Sequence, residues 1–114
     1  MKQIKNDPAL TAIRNGEFGE DIIHSAEKVA VILTQSWCPQ WYSMQKFVGD
    51  VPDVDVWLLE YDRVDYFDAF REFKETRLGN DQIPYIRYYS GGALVAQSNA
   101  VTHELFQLYL EKQP

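Results

Sequence analysis

At 114 residues the chain has the length of one domain, able to bury roughly two-thirds of the surface its extended form exposes, and its 17 acidic against 11 basic residues give a formal charge of −6. No run of lysine or arginine supplies the basic stripe that a phosphate backbone needs, which argues against a nucleic-acid partner. One cysteine excludes an internal disulfide framework and a cysteine-rich zinc site, and no apolar run approaches the roughly 20 residues of a membrane span. The polar start Met-Lys-Gln-Ile-Lys-Asn-Asp-Pro has no apolar leader segment. These features predict a cytoplasmic monomer, one domain over 1–114, whose acidity serves solubility.

Taken in chain order, Asp7-Pro8 opens a short helix reaching about Arg14, closed by Asn15-Gly16, so that 1–16 forms an extension or first element. Phe18, Ile22, Ile23 and Ala26 are spaced for a helix with one buried face. Val29-Ala30-Val31-Ile32-Leu33-Thr34 is apolar on both alternations and suits a central strand covered on both sides. Ser36-Trp37-Cys38-Pro39-Gln40-Trp41 follows at once. Pro39 fits the first turn of a helix, where its missing N–H is no loss, and Met44, Phe47 and Val48 continue that helix to Gly49-Asp50.

Val54, Val56 and Leu58 alternate as a second strand. A helix between two strands makes them parallel through a right-handed crossover. Residues 64–78 read as a helix with Val64, Phe67, Phe70 and Phe73 at steps of three, ending at Leu78-Gly79. Tyr85–Tyr89 and 93–97 form a hairpin about Ser90-Gly91-Gly92. Thr102 caps a last helix, with Val101, Leu105, Leu108 and Tyr109 as its expected buried face.

The element order, the aromatic-cysteine-proline sequence at a helix start, the Ile83-Pro84 pair before the hairpin and the glycine turn together resemble the thioredoxin family over about residues 17–112. The resemblance implies a three-layer α/β sandwich with a mixed four- or five-stranded sheet and helices on both faces. It implies a cis proline at Pro84 beside the active cysteine, with the Ile83 backbone pairing an extended substrate segment. Two departures bear on function. Trp41 stands where the family has its resolving cysteine. Ile32 stands where the family often buries an acid that moves a proton for that second thiol.

Cys38 alone keeps the attacking half of the chemistry. At a helix start its thiol is expected to titrate below the free value of about 8.5 and to attack disulfides as the thiolate. No second thiol in the chain can resolve the adduct, so an external one such as glutathione would have to; no resident cofactor or metal is expected. Two functions follow. One is a monothiol exchange enzyme acting on protein or glutathione disulfides, with Cys38 catalytic. The other is a redox-inactive module that binds an extended peptide in a groove made by Trp37, Pro39, Trp41, Ile83 and Pro84. They part on whether Trp41 leaves the Cys38 sulfur open. His24 and His103 read as surface or capping residues, and Asp62, Asp65, Asp68 and Glu72 as a solvated edge rather than a metal site.

Overall fold

The run Val29–Leu33 is apolar and rich in β-branched residues, and it becomes the central strand of a five-stranded mixed sheet. In the computed structural model, which describes residues 1–114, the sheet order is β1-β3-β2-β4-β5. The elements are β1 (Lys2–Gln3), α1 (Asn6–Asn15), α2 (Glu20–Ile23), β2 (Lys28–Thr34), α3 (Pro39–Met44) and β3 (Val54–Glu60). A 3-10 turn (Tyr61–Arg63), α4 (Phe67–Glu72), a π turn (Phe73–Arg77), β4 (Tyr85–Ser90), β5 (Ala93–Ser98) and α5 (His103–Leu110) complete the chain. β2 pairs parallel with β3 and antiparallel with β4, so it lies in the middle of the sheet.

Side chains of a strand alternate between faces, and β2 divides its residues accordingly. Val29, Val31 and Leu33 join Ala9, Ala12, Phe70, Phe73, Tyr85 and Tyr89 on one side, under α1 and α4. Ala30 and Ile32 join Cys38, Trp41, Met44, Leu58, Ile86, Tyr88 and Phe106 on the other, under α3 and α5. The β4–β5 connection is a two-residue turn, with Ser90 opposite Ala93 and both Gly91 and Gly92 at positive φ. That backbone suits glycine at both central positions. At Gly92 a side chain would also strike the His24 ring, which lies 2.1 Å from where a Cβ would stand.

Four expectations need correction. β1 is a two-residue strand parallel to β3, too short to show alternation; the Lys2–Asp55 ion pair (2.8 Å) and the Ile4 N–H to Leu58 O bond (2.9 Å) hold it there. The helix expected over Phe18–Ala26 shrinks to α2, because the chain turns at Ser25, whose hydroxyl accepts the Trp57 indole N–H at 2.9 Å, before entering β2. The helix expected over 64–78 starts late and widens into the π turn, which turns the adjacent Phe73 and Lys74 both inward. In α5 the buried pair is Phe106 and Leu110, whereas Leu105 and Leu108 are 45% and 56% exposed. Phe106 decides this rotation: its ring packs against Phe47 and Tyr88, with centroids 6.0 and 5.9 Å away. Thr102 does cap α5, its Oγ1 accepting from Leu105 N at 3.2 Å.

Candidate functional site

The site is built on the loop that leaves the carboxyl end of β2. Crevices outside strand ends of open α/β sheets are favoured places for ligands. Asp62 pins this loop, accepting from Ser36 N at 2.8 Å and from Ser36 Oγ at 2.6 Å. Cys38 is the N-cap residue of α3 and Pro39 its first helical residue; the Cys38 carbonyl accepts from Tyr42 N at 3.0 Å. Trp37 stands out from the loop, 65% exposed, its indole N–H tethered to Gln35 Oε1 at 2.7 Å. Tyr42, one turn into α3, is also exposed.

Cys38 itself is 2% exposed. It packs in the cluster that holds Ile32, Trp41 and Leu58. The one polar contact of its thiol is with Gln40, whose Oε1 lies 3.5 Å from Sγ and accepts its weak hydrogen bond. Neither histidine hydrogen-bonds it: His103 stacks on Phe47 (centroids 5.1 Å apart) and His24 lies against the hairpin turn. Ile32 faces Leu58 across the β2–β3 ladder, so the layer beneath the sulfur is hydrocarbon.

Trp41 corrects the expected groove. It is fully buried, so it cannot meet a partner. The physical reason is that an indole carries a large apolar area and one polar N–H that needs an acceptor when buried. Glu60 supplies that acceptor, with Trp41 Nε1 donating to Oε2 at 3.0 Å, and also pairs with Arg63 at 3.4 Å. The place that resembles a resolving-cysteine position is thus filled as core.

The second wall comes from the start of β4. The pairing of Leu33 with Tyr85 brings Pro84 alongside the end of β2, where the Cys38 loop departs. The Ile83–Pro84 bond is cis. Pro84 is buried, and Ile83 is half-buried and packs against the cluster holding Cys38. The Ile83 N–H and C=O have no hydrogen-bond partner in the chain. Around them the backbone is held: Asn99 Nδ2 donates to Pro84 O at 3.0 Å, and Gln82 N to Asn80 Oδ1 at 3.0 Å. Of the residues singled out from the sequence, the open surface therefore keeps Trp37, Pro39 and part of Ile83, while Cys38, Trp41 and Pro84 lie beneath it.

No protein-family model and no curated protein matches this chain. Solved structures do. Thioredoxin O2 from Arabidopsis thaliana superposes with a TM-score of 0.65 at 14% identity, covering 96% of this chain and 90% of that one. Mitochondrial thioredoxin 3 from Saccharomyces cerevisiae gives 0.64 at 16% identity, covering 97% and 93%. Spinach chloroplast thioredoxin f gives 0.62 at 11% identity, covering 96% and 89%. The chain has the thioredoxin fold.

Within this thioredoxin fold, several residues that shape the site carry no local signal in the sequence. Asp62 is expected as solvated edge and instead holds the Cys38 loop from 26 positions away. Glu60 and Asn99 act from 19 and 15 positions away, and Lys74 from 6 and 8, through pairings only the packed chain creates. Gln40 lies inside the motif, and its reach back to Cys38 is the one contact that adjacency could have suggested. No group of histidine, cysteine, aspartate or glutamate side chains converges as a metal site, and no helix is long and apolar enough to cross a membrane.

Proposed function

We propose that this thioredoxin-fold protein is a recognition module: an extended segment of a partner protein lies across Trp37 and Pro39 and pairs its backbone with Ile83. The observation that carries this reading is the contrast at neighbouring positions, an open Trp37 beside a closed Cys38. Large aromatics are common anchors of binding surfaces. The unpaired N–H and C=O of Ile83 supply what strand addition uses. With Trp41 committed to the core and no second thiol, dithiol reduction has no route in this chain.

One observation favours a second reading, monothiol exchange in a cytoplasm supplied with glutathione. The only polar group on the Cys38 sulfur is Gln40, an exposed side chain free to swing away. The Cys38 thiolate would then attack a disulfide R–S–S–R′, forming Cys38–S–S–R and releasing R′–S⁻. A glutathione thiolate would attack the mixed disulfide, restoring Cys38 and leaving R as its glutathione disulfide.

The two are separated by selecting binders from a random dodecapeptide display library on the intact protein. Binding is then compared among wild type, Trp37→Ala and Cys38→Ser. The recognition reading expects Cys38→Ser to bind as wild type and Trp37→Ala to lose binding. Loss of peptide capture in Cys38→Ser, with a glutathione adduct on wild-type Cys38, would favour the exchange reading.

A further inference from the structure

The wholly buried Lys74 plays no part in the chemistry above, and no carboxylate touches it. Its Nζ donates to Asn80 O at 2.8 Å and to Gln82 O at 2.7 Å, and lies 5.6 Å from the centre of the Tyr85 ring. An ammonium has three donors. Two are spent on the carbonyls and the ring lies within range of the charge. A methionine would fill the same space without the cost of desolvating a cation, so the charge marks a task. Both acceptors belong to the 79–83 loop that delivers Ile83, and Lys74 reaches them from the π turn, a local geometry frequent at functional sites.

The loop is held from its other side as well. Asn80 and Asn99 exchange amide bonds at 3.2 and 3.0 Å, Asn99 Nδ2 bonds Pro84 O, and Asn80 N bonds Lys74 O at 3.2 Å. Asn80, Gln82 and Pro84 on either side of Ile83 are thereby held, while the Ile83 N–H and C=O are left without a partner. We propose that Lys74 is the positioning residue of the recognition surface, its ammonium clamping the Asn80 and Gln82 carbonyls so that the Ile83 peptide groups face an incoming strand; this rests on the recognition reading above.

The test uses the full chain. In Lys74→Met, order parameters of amides 80–83 should fall and the Asn80 and Gln82 amides should exchange about tenfold faster, while β2 amides keep their protection. Affinity for the selected dodecapeptide should fall about tenfold, a smaller effect than the loss of capture expected for Trp37→Ala. An unchanged loop overturns the proposal, and so does a loosened loop with unchanged affinity. A peptide that binds Trp37→Ala as well as wild type defeats the recognition reading instead, without bearing on the loop measurement. Should Lys74→Met not fold, the wild type decides. The charged groups facing Lys74 are Glu75 and Asp81, with the Tyr85 ring beneath it. The carbonyl carbons of Asn80 and Gln82 should shift with the same midpoint as the Lys74 ε-carbon, and flat carbonyl shifts across that titration overturn the clamp.

Discussion

Replacing Trp41 with alanine tests the claim that this position has become core and closes the thiol. Trp41 is fully buried, in a cluster with Cys38, Met44, Val48, Val56 and Phe106. An indole of roughly 150–250 Å² at about 25 cal/mol per Å² puts its burial at about 4–6 kcal/mol as an upper bound. Large-to-small changes of this kind cost about 3–5 kcal/mol in practice. The lost bond to Glu60 adds little, because that carboxylate is partly exposed and keeps Arg63. Against a total stability of about 5–15 kcal/mol, the variant should survive with a Tm lower by roughly 15–20 °C. Urea unfolding followed by far-UV circular dichroism measures the loss. With one thiol still in the chain, the iodoacetamide rate on Cys38 in native conditions, set against the rate in urea, measures its opening. Trp41→Ala should raise the native rate about tenfold or more. A loss under about 1 kcal/mol would refute the placement of Trp41 in the core. An unchanged native rate would refute its role as cover for Cys38.

Trp37→Ala should change stability by less than about 0.5 kcal/mol, since the ring is largely in solvent, while abolishing capture of selected peptides; matched unfolding and binding titrations check both. Burial lowers the Lys74 ammonium to about 8 from an ordinary 10.5. Between those values the unfolded chain holds more protons than the folded one, so stability should rise with pH across this window. The penalty is fully present below pH 8 and gone above 10.5, and the gain across the window should be on the order of 1–3 kcal/mol. The same unfolding series in Lys74→Met should lack this rise. Arg87, buried on β4, donates to the Tyr85 and Tyr89 hydroxyls at 2.9 and 2.8 Å and pairs with Glu17. Arg87→Ala should cost about 1–3 kcal/mol, since three partners lose the guanidinium while Tyr89 keeps Glu17, Tyr85 keeps Gln97 and Glu17 is partly exposed. The exposed Arg71–Glu75 pair of α4 and the π turn is the control, and Arg71→Ala should leave the unfolding midpoint unchanged.

Legibility followed the range of the forces. β2, the α3 start, the hairpin and the Thr102 cap were readable because each rests on neighbours in sequence: an unbroken apolar run, a proline at a first helical turn, two glycines at positive φ, a hydroxyl three residues from its N–H. α5 shows the limit. Of the stripe Val101, Leu105, Leu108 and Tyr109, Val101 and Tyr109 do pack against the core, but the positions of Phe47 and Tyr88 bring in Phe106 and Leu110 in place of Leu105 and Leu108. β1 lay below the limit, since two residues have no period.

For the site, the residue types settled the chemistry that is absent. One cysteine, with Trp41 and Ile32 in place of a thiol and an acid, removes the dithiol route whatever the packing. Whether the remaining sulfur is open could not be read from Ser-Trp-Cys-Pro-Gln-Trp, because exposure belongs to the enclosing surfaces. Glu60 draws the Trp41 indole inward from another strand, Asp62 pins Ser36, and Lys74 and Asn99 hold the loop before Pro84. Three of those bonds join residues 15 to 26 positions apart, and Lys74 reaches Gln82 across eight. Buried polar groups must find partners wherever the fold brings them, and that requirement is met only once the sheet and its two helical layers have closed.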